Sequence, residues 1–238
     1  MEFAIGRDLF RGWEAIRVFG HNPDLDMGTE DLWEVGGTRT DPTSAAVIST
    51  VSTSTSDAAA GTGIQTVEFE GLDANFDRIK ETITLNGTDA VTTTLSFLRI
   101  NSMTGKSAGT GQEAAGIITA SIGGNAQSQI NVGEGADLST HYTVPAGHTL
   151  FVQSFLAGTG RIGAGDVIVR LQSKLEPDDV WVTLTIFDPY QVTFNEDGLL
   201  GFQICPEKTE MRVTGEANIN NLAVFSGWHG ILVLDTIV

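Results

Sequence analysis

The sequence is poor in cysteine, proline, basic residues and long apolar runs. One cysteine in 238 residues, Cys205, rules out an intramolecular disulfide. With no second Cys and no Cys/His spacing, a thiolate metal site is ruled out too. Only 13 Lys and Arg stand against 30 Asp and Glu, a net charge of −17. Such a chain lacks the cationic surface that phosphate backbones or anionic lipids require, so neither nucleic acid nor membrane is an expected partner. No apolar run approaches the ~18 residues that cross a bilayer. Residues Met1 to Leu9 place Glu2, Arg7 and Asp8 where a secretory leader needs an apolar core, so no signal peptide is expected.

What the chain has instead is Gly, Thr and Ser: 28 Gly, 28 Thr and 14 Ser, beside 41% hydrophobic residues. That composition is neither disordered nor collagen-like, and the length suffices to bury a core without disulfide or metal staples. No cofactor is expected. Acidity is spread along the chain: net −5 in residues 1–44, −4 in 45–124 and −8 in 125–238. This distribution favours a charged outer surface over one dedicated acidic site.

Composition shifts divide the chain into an N-terminal arm at 1–44 and two β bodies at 45–124 and 125–238. In the arm, Leu9, Phe10, Trp13 and Ile16 would share one helical face, but Gly12 weakens a helix and a strand reading is comparable. The arm's aromatics, Phe10, Trp13, Phe19 and Trp33, cannot be buried by so short a segment alone. They are the candidate interaction residues, expected to pack on the chain's own body or on a neighbouring subunit.

From residue 45 the pattern is β. Ala46 to Ser52, Thr66 to Glu70, Ile79 to Leu85, Ala90 to Ile100 and Gly116 to Ile122 are rich in Val, Ile, Thr and Phe, several with period-two alternation. Asn86-Gly87 supplies two residues that tolerate positive φ, predicting a hairpin between the third and fourth of these. Ser102 to Gln112 reads as a long loop. After Gly123-Gly124 come eight further candidate strands: Ser128 to Val132, His141 to Val144, Thr149 to Ala157, Asp166 to Ser173, Val180 to Phe187, Leu199 to Cys205, Glu210 to Thr214 and Gly227 to Leu234. The expected fold is all-β: the N-terminal arm followed by two β-sandwich domains, the second jelly-roll-like.

Motifs that carry chemistry are weak. Gly158-Thr159-Gly160-Arg161-Ile162-Gly163 matches G-x-G-x-x-G, but an alternating strand follows where a phosphate-binding helix should begin. Asn22, Asp24, Asp26, Glu30, Asp31 and Glu34 offer oxygen ligands, yet Gly28 is one place late for an EF-hand and Trp33 holds its twelfth position. A solvated acidic turn is the simpler reading there, and for Glu176, Asp178 and Asp179. His21, His141, His148 and His229 are scattered, and neither G-x-S-x-G nor H-E-x-x-H occurs, so no residue takes a catalytic role and no enzyme is expected. Trp181, Phe187, Tyr190, Trp228 and His229 are candidates for a sugar platform, with core packing the favoured reading. Cys205 falls in a strand and reads as buried. Asn86-Gly87-Thr88 is a formal glycosylation sequon that more simply marks a turn.

Several stretches resemble a family of small virion structural proteins of tailed bacteriophages, of the type common in aquatic phages. They are Thr66 to Phe76, Glu81 to Thr88, Phe97 to Ile100, Phe19 to Asp24 with Gly28 to Trp33, Tyr142 to Thr149, Pro206 to Thr209 and Gly230 to Val233. Thr159 to Ala164 and Pro177 to Trp181 depart from the pattern. The resemblance implies a non-enzymatic virion component, located in the phage particle and made in the bacterial host cytoplasm. An all-β body with long Gly/Thr/Ser loops and an aromatic arm fits a capsid decoration or cement protein that binds the major capsid protein or other virion proteins, as a homo-oligomer with a trimer favoured. The alternatives are a tail adaptor, baseplate or fibre-attachment protein, or a glycan-binding tail protein.

Overall fold

A computed structural model describes residues 11–160, 166–188, 195–197 and 203–235. All regular structure in them is β. In chain order the strands are β1 (Trp13–Leu25), β2 (Gly28–Asp31), β3 (Ala46–Ser52), β4 (Ile64–Leu72), β5 (Arg78–Thr84), β6 (Val91–Phe97), β7 (Arg99–Ala108), β8 (Ile118–Ile122), β9 (Asn125–Ile130), β10 (Tyr142–Thr143), β11 (His148–Thr159), β12 (Val167–Lys174), β13 (Val182–Phe187), β14 (Asn195–Asp197), β15 (Gln203–Cys205), β16 (Glu210–Ala217) and β17 (Leu222–Leu234). Contacts separate two compact units, one from Arg39 to Ser139 and one from the described residues up to Thr38 together with those from Thr140 onward.

The expectation of two β-sandwich domains with a jelly-roll-like second is corrected by the strand pairing, which gives four separate antiparallel sheets. In the discontinuous unit a five-stranded sheet runs β1-β17-β11-β14 with β15 also on β11, and a four-stranded sheet runs β10-β16-β12-β13. In the continuous unit the sheets are β6-β3-β8-β9 and β5-β4-β7. The physical reason lies in the first forty residues. Trp13 to Leu25 hydrogen-bonds along β17, Trp13 opposite Val233 through to Leu25 opposite Leu222, so this segment is an integral strand of the largest sheet. Neither helix nor detached arm forms over 13–25: Ile16, Val18 and Leu25 face the core, and polar residues between them hide the period.

Each unit encloses one apolar core. Phe155, Trp228, Val152, Val224 and Leu232 from the five-stranded sheet join Val169, Leu171, Met211 and Val213 from the four-stranded one. In the continuous unit, Ile48, Phe69, Phe97, Met103 and Ile118 play this part, with Phe69 and Phe97 edge-on at 6.3 Å. Burying a side chain of this kind contributes about 2 kcal/mol.

Local chemistry explains the other departures. Asn86-Gly87 turns, with Gly87 at φ 64°, but does not join a hairpin: β5 pairs with β4, and β6 pairs with β3 in another sheet. The turn instead docks on the loop after β3, where Gly87 N–H donates to the Asp57 carbonyl at 2.8 Å and its own carbonyl accepts from Ser52 N–H at 2.9 Å. The expected strand Ala90 to Ile100 breaks at Leu98, and its second half continues as β7 through residues expected to form a loop.

Candidate interaction surface

The four candidate arm residues do not share one surface. Phe10 lies outside the described residues. Trp33 is buried at 3% exposure; its Nε1 donates to the Gly37 carbonyl at 3.1 Å and its ring stands edge-on to His141 at 5.6 Å. Trp13 is half-buried at the start of β1 opposite Val233. Phe19, six residues on, shares that face by strand alternation. It is the exposed member, at 46%, and stacks on Phe225 with centroids 6.1 Å apart and planes at 30°.

The Phe19–Phe225 pair rests on two glycines. Phe225 is paired across the sheet with Gly158, where a Cβ would run into its ring. Phe19 is paired with Gly227, whose missing side chain leaves its ring room. Since Val224 and Trp228 point into the core, residues 225, 227, 229 and 231 of β17 fall on the opposite face. There Ile231 lies opposite Phe151, and Phe151 opposite Ile204, which is 64% exposed. This outward face of the five-stranded sheet therefore mixes aromatic and aliphatic side chains with Arg17, His21 and His229, and its Ile231 is buried.

The acidic cluster of β1 and β2 is structural. Asn22 is buried and donates to Glu30 Oε2 at 2.9 Å, which also accepts Gly37 N–H at 3.0 Å. Asp31 is buried between His141 (Oδ2 to Nε2, 3.2 Å) and Arg212 (Oδ1 to Nη1, 3.3 Å). Among the described residues no group of three or more His, Cys, Asp or Glu is placed to hold a metal ion.

Arg212 extends this network outward. Its guanidinium lies 4.0 Å from the Trp181 ring centroid, its Nε donates to Gln172, and Lys174 approaches the same ring at 5.2 Å while pairing with Glu210 at 2.8 Å. Trp181 thus serves as a surface for cations rather than a free sugar platform. Trp228 is fully buried, and Phe187 packs against Phe155 at 5.1 Å. Tyr190 lies outside the described residues, as does much of the Gly158 to Gly163 motif. Cys205 is buried beside Met211, and burial pushes its thiol up to about 11. His148 Nδ1 meets the Ala146 carbonyl at 2.8 Å, far from the His141 pair in chemistry and contacts. Sequence reasoning missed the Asp31–His141–Arg212–Trp181 network, whose members come from four separate stretches and leave no spacing signal.

No protein-family profile and no curated protein matches the sequence. Among solved structures, one described as the structure of infectious bursal disease virus Gx strain shares 8% identity over 92% of this chain and 70% of that chain, with a TM-score of 0.25. A second, the crystal structure of infectious bursal disease virus VP2 subviral particle, shares 10% identity over 93% and 72%, with a TM-score of 0.23. At those scores neither fold nor role carries over. The four sheets replace the expected jelly roll.

Proposed function

We propose that the protein is a non-enzymatic structural component of a virus particle: a decoration protein that binds the major capsid protein and associates as a homo-oligomer, with a trimer favoured. The observation that carries this reading is the Phe19–Phe225 stack, with Phe19 exposed, on the outward face of the five-stranded sheet. A partly exposed aromatic pair on a chain of net charge −17 suits a protein partner, because its charge opposes nucleic acid and anionic lipid alike. The sequence resemblance to virion structural proteins supports the same assignment. The particle is its location, and it is made in the host cell.

Counting copies in purified particles tests it. On the order of hundreds per particle, in fixed ratio to the major capsid protein, is expected of a decoration protein in a closed symmetric shell. About a dozen or fewer would overturn the decoration role. Sedimentation of the isolated protein reads the oligomeric state directly.

A further inference from the structure

The sheet β6-β3-β8-β9 of the continuous unit carries no charge. Ala46–Ser52, Val91–Phe97, Ile118–Ile122 and Asn125–Ile130 contain no Asp, Glu, Lys, Arg or His, although the chain holds 13 Lys and Arg and 30 Asp and Glu. Each of the other three sheets carries both signs, as at Glu14 and Arg17, Glu68 and Lys80, and Glu210 and Arg212. Ile48, Ile118, Ala120, Ile122 and Ile130 belong to the core, so the residues alternating with them form the opposite face. One row across that face runs Thr92, Ser49 and Ser121, and the next runs Val51, Thr119 and Gln129. All are half-buried or exposed, Val51 at 37%, and Val47 further along β3 is 42% exposed.

A sheet face that meets water usually carries charged side chains among its polar ones, whereas the centre of a protein contact is depleted in charge. Neutrality also selects the partner. A different protein could match this acidic chain by setting basic residues against its carboxylates, but a second copy brings the same net charge of −17, and like charges facing each other across a contact oppose it. Among the described sheets, this is the one surface on which copies can meet without that repulsion. Contact through the face is favoured over contact through the β6 edge, because Thr94 N–H and Leu95 N–H of β6 both donate to the Glu81 carboxylate of β5 at 2.8 Å and that part of the edge is taken. We propose that the outward face of β6-β3-β8-β9 is the self-association surface of the chain, turned towards the symmetry axis of the homo-oligomer and covered there by further copies of the same chain. The inference rests on the homo-oligomer reading above and not on the capsid contact.

Sedimentation of the full-length chain and of charge variants tests it. Val51→Glu and Thr119→Glu each place a carboxylate in the contact and should weaken self-association by at least about tenfold, with the urea midpoint of the dilute chain close to wild type. Thr84→Glu, the same charge change at an exposed position of β5, should leave association unchanged. Wild-type assembly by both face variants overturns the proposal, and so does equal weakening by Thr84→Glu, which would make the effect one of net charge. Intact self-association with lost particle binding would assign the face to the capsid protein and overturn it too. A wild-type chain that stays monomeric at high concentration overturns the homo-oligomer reading first, and this inference with it. A second measurement does not depend on how the glutamate variants fold. In a Cys205→Ser background and at a fixed excess of a maleimide, Thr119→Cys should react several-fold more slowly in concentrated, associated protein than in dilute protein, while Thr84→Cys reacts equally in both. Equal rates for Thr119→Cys at the two concentrations overturn the proposal.

Discussion

Asp31 and His141 lie 110 positions apart in sequence and meet at 3.2 Å, their side chains 1% and 3% exposed, with Arg212 on the other carboxylate oxygen. One carboxylate thereby ties β2 to the residue before β10 and to β16. Removing one partner from a buried ionic cluster leaves the others without compensation, which typically costs about 3 kcal/mol. Asp31→Ala is expected to lose about that much stability in urea unfolding, and Asp31→Asn distinctly less, because it keeps the shape and one acceptor. A loss under about 1 kcal/mol for the alanine variant would put the cluster on a par with a surface ion pair.

The continuous unit contains a pH-dependent element at Asp137. Asp137 is half-buried, and its carboxylate accepts Met103 N–H at 3.0 Å and the Ser128 hydroxyl at 2.7 Å. Burial raises its pKa to about 6, against the lowering influence of those hydrogen bonds and of Arg39. The folded state therefore holds a proton that the unfolded chain releases near pH 4. Stability is greatest below that point, falls as pH rises towards 6 and levels off above, with a total change of at most about 3 kcal/mol. Asp137→Asn should flatten this part of the pH profile, read by urea midpoints between pH 4 and pH 7. A variant profile with the wild-type slope would refute the assignment.

How far the sequence speaks for itself differs between elements. Ala46 to Ser52 is read with its true bounds, and Asp166 to Ser173 and Val180 to Phe187 lie within two residues of theirs, because β-branched residues and alternation mark half-buried strands directly. Pairing is not legible in the same way. Asn86-Gly87 has the chemistry of a hairpin turn, yet which sheet each flanking strand joins is decided by Phe97 and Ile83 finding places in one core and by the docking of Gly87 on Asp57. Likewise the first strand is obscured by Gly12, Glu14 and Arg17, and becomes a strand because β17 supplies a partner for its whole length. The aromatic pair is half legible: Phe19 is one of four arm aromatics that the sequence offers as interaction residues, but Phe225 and the glycine shelf beneath the rings are a product of register.

Asp57 shows how a polar side chain can organise loops in a Gly/Ser-rich chain. It is fully buried; Oδ1 accepts Ile64 N–H and Ala115 N–H at 2.9 and 3.0 Å, and Oδ2 accepts Gly116 N–H at 2.9 Å and the Ser52 hydroxyl at 2.6 Å. Asp57→Ala would leave three amides without an acceptor, each costing about 1–3 kcal/mol if buried. The expected loss is at least about 3 kcal/mol in chemical unfolding. Asp57→Asn should fall between, since its NH2 group presents a donor to these donors where the carboxylate presents an acceptor. Ser52→Ala, which removes one of four bonds, should cost about 1 kcal/mol; an equal effect of Ser52→Ala and Asp57→Ala would contradict the arrangement.

The Phe19–Phe225 surface gives the sharpest separation of stability from assembly. Phe19 is nearly half exposed, so Phe19→Ser should change the unfolding free energy of the isolated chain by no more than about 1 kcal/mol. If its ring anchors the contact with the capsid, the same substitution removes a hot-spot side chain worth about 2 kcal/mol, on the order of a 30-fold loss of affinity in co-sedimentation with particles. Gly158→Ala reaches the same surface from beneath. Its Cβ would collide with Phe225 and tilt that ring away from Phe19 without touching the solvent-facing side chain itself. Loss of particle binding in both variants, with folding retained in Phe19→Ser, is the expected pattern. Wild-type occupancy of particles by Phe19→Ser would exclude this face as the contact, whatever the result for Gly158→Ala, because only the former leaves the sheet beneath undisturbed.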